Sequence, residues 1–115
     1  MIIRRNNDIL TTQAQEAKTW VDRLKGLLGK REMNENEALI LTPCKGIHTF
    51  FMKFPIDAVF IDKKYSIVWL TSLAPNRLSS FYFNAKSVIE FPAGCIQKWN
   101  LKIGEILNIE RDSHV

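Results

Sequence analysis

Residues 57–72, DAVFIDKKYSIVWLTS, decide how the rest of the chain is read. Two runs rich in branched and aromatic residues flank a polar break at Lys63-Lys64, which is the pattern of two strands joined by a hairpin turn. Working outward, ALIL (38–41), IHTFFM (47–52), KSVIEF (86–91) and EILNIE (105–110) repeat that composition, each bounded by breaker or turn residues. Residues 9–17, ILTTQAQEA, predict a half-exposed strand, and Gly104 stands where a tight entry into a last strand needs it. One stretch departs from this rhythm. In TWVDRLKGLLGKR (19–31), Thr19 is placed to cap a short helix, Trp20, Val21, Leu24, Leu27 and Leu28 share one face, and Gly29 ends it. The pattern predicts a β-rich α+β domain spanning residues 1–115: a compact β sandwich or partly open barrel of about six to eight short strands, with one or two short helices.

A chain of 115 residues, 46% of them hydrophobic, has enough apolar side chain to build one core without disulfides or structural metal. Cys44 and Cys95 form no C-x-x-C or Cys/His spacing, so two free thiols are expected rather than a zinc site. The first ten residues, MIIRRNNDIL, lack the apolar stretch of a signal peptide, and no apolar run is long enough to span a membrane, which points to a cytosolic protein of bacterial type. The net charge of +4 comes from Lys and Arg scattered between Arg4 and Arg111, which reads as a solvated surface and points away from nucleic acid as a partner. The stretch APNRLSSFYFNAK (74–86) is the exception to weigh. Its three consecutive aromatics are expected to pack a long loop onto the body, the alternative being an exposed stacking platform.

Polar residues inside apolar runs mark the candidate site. If 47–52 is extended, His48, Phe50 and Met52 share one face, both faces are largely apolar, and His48 is either a donor in a pocket or a core histidine bonded to a carbonyl. Asp57 follows Pro55 at the start of AVFI; as a buried carboxylate it must meet a cation or backbone amides, and as a turn residue it accepts local N–H groups. A tight hairpin between 47–52 and 57–61 would leave His48 and Asp57 roughly 10 Å out of register, so direct pairing needs a bend at Phe54-Pro55-Ile56. Arg23 flanks the helical stripe and is either an inward cation or a surface partner of Asp22. Glu90 interrupts an apolar strand, on the side of Val88 and opposite Ile89 and Phe91. Cys44 and His48 stand at no established catalytic spacing, and the chain contains no P-loop, G-x-S-x-G, H-E-x-x-H or dinucleotide-binding glycine pattern.

Four runs taken in order resemble a known family. They are R-x-x-G-L-L-G-K at Arg23–Lys30, IHTFFMKFPIDAVFID at Ile47–Asp62, A-x-x-V-I-E-F-P-A-G at Ala85–Gly94, and KIGEIL at Lys102–Leu107. Across about residues 14 to 110 the chain is similar to the small prokaryotic domain of unknown function 192. That resemblance implies a single β-rich domain of barrel or sandwich type, found alone or behind a secretion signal, with no established activity. Its polar motif positions fall on Arg23, His48, Thr49, Asp57 and Glu90, and Cys44 sits where members often carry a cysteine; Cys95 is outside the pattern. Retention of these types together implies that Arg23, His48, Asp57 and Glu90 converge on one cleft.

Three functions compete. The first is a small-ligand or peptide binding module in which Phe50 and Met52 wall a pocket, Arg23, His48 and Thr49 donate to an anionic or carbonyl group, and Asp57 and Glu90 complete the site. The second is a hydrolase- or lyase-like enzyme with His48 and Asp57 or Glu90 as acid and base, or with the three as metal ligands. The third is an interaction or nucleic-acid-binding protein using residues 74–86. The binding module is the reading adopted, with no catalytic residue, metal or cofactor assigned.

Overall fold

The structure, a computed structural model, describes residues 1–19 and 32–111. The helix expected over 19–31, and Arg23 with it, therefore falls almost wholly outside the described residues. Within them, the strands are β1 (Ile2–Arg5), β2 (Asp8–Thr11), β3 (Gln13–Ala17), β4 (Glu37–Leu41), β5 (Ile56–Ile61), β6 (Ile67–Leu73), β7 (Ser87–Pro92) and β8 (Asn108–Glu110), with one short helix, α1 (Cys95–Lys98), between β7 and β8. They form a three-stranded sheet, β2-β1-β8, and a five-stranded sheet, β3-β4-β7-β5-β6. In the larger sheet only β3–β4 is parallel.

The hairpin of 57–72 forms as the sequence predicts. Ile56 pairs with Leu73, Ala58 with Thr71 and Phe60 with Trp69. The turn closes through Asp62, whose amide donates to the Ser66 carbonyl while its Oδ1 accepts from the amides of Lys64 and Ser66. Every residue of β5 is buried, because the sheet is covered on both sides. Ile56, Ala58 and Phe60 join Leu39, Leu41 and Val88 in a cluster roofed by loop residues Ile47, Met52, Phe54 and Ala85. Val59 and Ile61 point the other way, into a cluster with Ile40, Ile89 and Phe91 that is closed by Ile3 and Leu10 of the small sheet and by Leu101 and Leu107. The molecule is thus a small sheet, a large sheet and a layer of loops. Fully buried Phe60 and Phe91 anchor the two sides, each contributing about 1.5–3 kcal/mol by removal from water.

Two differences from expectation have physical causes. The expected strand over 9–17 is two strands, since the chain leaves the small sheet after Thr11 and enters the large one at Gln13. Its partner β1 begins a hairpin through Asn6-Asn7, with Asn6 at φ 55°, a conformation asparagine tolerates. The expected strand over 47–52 does not form. Only His48 makes a bridge, to Leu78, and Phe51 at φ 67° takes the chain out of extended geometry. The loop is held instead by Thr49, whose amide donates to the Arg77 carbonyl and whose carbonyl accepts from the amides of Met52 and Asn76.

Candidate functional site

Asp57, the second residue of β5, faces the side of the small sheet, beside its cross-strand partners Ser72 and Phe91. It is 1% exposed, and both oxygens are engaged: Oδ1 accepts from the Ser72 hydroxyl at 2.7 Å, and Oδ2 accepts from the amides of Gly94 and Ile96 at 3.1 and 2.8 Å. Those amides open α1, so Asp57 does for this helix what a capping side chain does, from a different strand. Gly94, at φ 97°, takes the left-handed conformation that turns the chain from β7 into the helix. Burial, and then the nearby Asp57 carboxylate, push the Cys95 thiol above its ordinary range.

Glu90 lies on the opposite face of the same sheet, in register with Leu39 and Ala58, and is completely buried. Alternation along β7 puts it with Val88, as expected from the sequence. Asp57 and Glu90 therefore do not meet, and the four-residue convergence implied by the family motif is not what the fold builds at these two positions. Because the loop carrying His48 covers the Glu90 side, Asp57 is also separated from His48 by the sheet.

On the loop side the chain forms a cleft of about 490 Å³, lined by Pro43, Cys44, Gly46, Ile47, His48, Leu78, Ser79 and Phe81, among others. Two segments distant in sequence are zipped together there. The Ser79 hydroxyl accepts from the Ile47 amide, the Ser79 amide donates to the Ile47 carbonyl, and the Tyr82 amide donates to the Lys45 carbonyl. Gly46 permits the approach: a Cβ there would stand 3.3 Å from the Ser80 carbonyl oxygen.

His48 is half-buried in the wall, stacked on Phe50 with ring centroids 4.7 Å apart. Its Nδ1 accepts from the Phe50 amide at 3.2 Å, which puts the proton of the neutral ring on Nε2. Cys44 Sγ donates to the Gly46 carbonyl at 3.1 Å.

Thr49 and Met52 sit behind this wall rather than in it. Thr49 is fully buried; its hydroxyl donates to the Ala74 carbonyl at 2.6 Å and accepts from the Arg77 amide at 2.9 Å, which ties the His48 loop to the loop after β6. Met52 is buried in the cluster beneath the loop, whereas Phe50, expected as a wall beside it, is 41% exposed. Among the described residues no three of His, Cys, Asp and Glu lie together as a metal site would require. Sequence reading missed Gly46, Leu78, Ser79 and Phe81. Their role depends on a contact between segments about thirty residues apart, which no local pattern carries.

The profile of the DUF192 family, described as an uncharacterised ACR, matches residues 1–109. A UPF0127 protein of Thermococcus sibiricus is 31% identical over 116 residues, spanning 96% of this chain and 74% of its own. One of Pyrococcus abyssi is 37% identical over 59 residues, which is 51% of this chain and 50% of that protein. Two crystal structures share the fold. A protein of unknown function from Novosphingobium aromaticivorans superposes with a TM-score of 0.79 at 16% identity, over 94% of this chain and 82% of its own. A putative transcription regulator from Sinorhizobium meliloti does so with a TM-score of 0.70 at 18% identity, over 83% and 79%.

Proposed function

Since the chain belongs to the DUF192 family, whose activity is uncharacterised, its function is read from the cleft, and we propose that it is a binding module for a small molecule or short peptide. The observation that carries this reading is His48, half-buried among Ile47, Leu78 and Phe81 in a cleft whose volume lies within the range of small-ligand sites. The apolar walls take the body of the ligand. The His48 Nε2–H donates to a carbonyl or anionic end. Thr49 and Met52 set the position of the loop, and Arg23 belongs to the proposed site as a motif cation. Asp57 and Glu90 serve the frame beneath.

The test is thermal shift against a metabolite and short-peptide library. A ligand at a hundred times its Kd stabilises by about 2.7 kcal/mol, well within the reach of the method. A hit that raises the melting temperature of the wild type and fails to do so in His48→Ala supports the reading. A library without hits, or hits that act equally on both proteins, counts against it.

A further inference from the structure

The expectation for Phe81-Tyr82-Phe83 was a loop packed onto the body, and only Tyr82 follows it. Its ring packs against Phe60 at 4.7 Å and stacks on Trp69 at 5.6 Å. Phe81 and Phe83 meet edge to face at 5.0 Å and stay 59% and 82% exposed. The pair is held in place from below, because the Lys45 ammonium donates to the carbonyls of Phe83 and Ala85, both at 2.6 Å. An outward-facing pair of phenylalanines presents apolar ring surface to solvent, which is a docking feature unless something covers it.

Folding also collects charge that looks scattered in the sequence. Lys63 and Lys64, at the turn of the β5–β6 hairpin, line one groove of about 520 Å³ with Lys86 at the entry to β7, and with Lys45 and Phe83. The one acid there, Asp62, accepts from two backbone amides through Oδ1. Lys63 and Lys86 also line a smaller neighbouring cleft with the hydroxyls of Thr42 and Ser87, the carboxylate of Asp62, and Glu16, whose charge is matched by Arg111. Cations thus run along a concave track, with exposed aromatic rings at its side.

We propose that this groove binds single-stranded nucleic acid, with phosphates along Lys63, Lys64 and Lys86 and a base stacked on Phe83. The chemistry selects the occupant. A polyanion alone satisfies the lysines and leaves the ring bare, and an apolar peptide covers the ring and leaves the lysines unmatched. A duplex keeps its bases stacked on one another. An anionic membrane also offers charge beside an apolar layer, and the vesicle arm of the test separates it from a strand, whose backbone follows lysines lined along one groove. The groove adjoins the His48 cleft, with Pro43 and Lys45 lining both, but the proposal rests on Lys63, Lys64, Lys86 and Phe83 and stands or falls without a ligand at His48.

Fluorescence anisotropy with oligo(dT) and oligo(U) of about 15 nucleotides tests the proposal, against a duplex of equal length and vesicles of phosphatidylcholine and phosphatidylserine. Three phosphate contacts on a single strand give a slope of log affinity against log salt near −2, so raising salt from about 50 to about 200 mM weakens binding roughly 20-fold. Phe83→Ala weakens binding about tenfold with the melting temperature unchanged, since the ring is exposed. The double substitution Lys63→Gln/Lys64→Gln weakens it and makes the salt slope shallower by about 1.4. No saturable binding at low salt, equal binding of the duplex, tighter binding to the vesicles, or indifference to either substitution overturns the proposal.

Discussion

Replacing Asp57 separates a carboxylate that holds the frame from one that does chemistry. Asp57→Ala takes a charged acceptor from the Ser72 hydroxyl and from the amides of Gly94 and Ile96. Hydrogen bonds to charged groups contribute about 1.5–3 kcal/mol each, but they are not additive here, since Gly94 is exposed and water can reach its freed amide. The expected loss is about 3 kcal/mol, which for a chain of this length lowers the melting temperature by roughly 12 °C. Asp57→Asn is milder. Its amide oxygen keeps the two backbone donors, its NH₂ faces a hydroxyl that can rotate to accept, and the cost is about 1 kcal/mol. Urea denaturation of the three proteins reads both values. A local signature accompanies them, because α1 loses its anchor and Cys95 becomes more open to a thiol reagent in Asp57→Ala. An Asp57→Ala loss under about 1 kcal/mol, or no gap between the two variants, refutes the capping role.

Three further outcomes follow from the same geometry. In native protein one thiol reacts quickly with an aromatic disulfide reagent. It is Cys44 in the cleft wall, while Cys95, buried and with its thiol pushed up, waits for unfolding; equal rates for the two would contradict this assignment. Thr49→Val removes the hydroxyl that ties the His48 loop to the Ala74–Arg77 loop and costs about 1–2 kcal/mol in chemical denaturation, and a loss below about 0.5 kcal/mol would show that the tie is dispensable. Glu16 is held below its ordinary range chiefly by its hydrogen bond with Arg111, at 2.8 and 3.0 Å. Its folded value is the lower one, so the clasp stabilises above the unfolded value and fades as pH falls through the folded one. The difference in melting temperature between wild type and Arg111→Ala is therefore fully present above the ordinary glutamate value and closes as pH falls below it, and a difference that stays constant with pH excludes the clasp.

The sheet was readable where burial on both faces writes a continuous branched or aromatic run, as in DAVFI and SVIEF, whereas SIVWL, on the sheet edge with Trp69 exposed, was readable from its branched and aromatic composition. IHTFFM has the same composition for another reason. Its Ile47 and Met52 roof a core from a loop, and period alone does not distinguish a roof from a strand. β1 carries only Ile2 and Ile3 before Arg4-Arg5, too little pattern to register. For the site, sequence reading located His48 and Asp57 as unusual, and both have the partners that their burial demands. A tight hairpin would have left the two out of register, and a bend at Phe54-Pro55-Ile56 was the route by which they could pair. Alternation in β5 then sends Asp57 toward the small sheet, while the His48 loop lies over the other face. The second wall of the cleft and the lysine groove depend on long-range contacts, which become visible only when the chain is folded.

The separation of His48 from Asp57 by the sheet is tested most directly by a double-mutant cycle on folding stability, using His48→Ala, Asp57→Asn and the double variant. Sites with no shared partner add to within about 0.5 kcal/mol, and that is the result predicted here. A coupling above about 1 kcal/mol would mean that the two side chains act as one unit, and would contradict a frame carboxylate on one face and a binding histidine on the other.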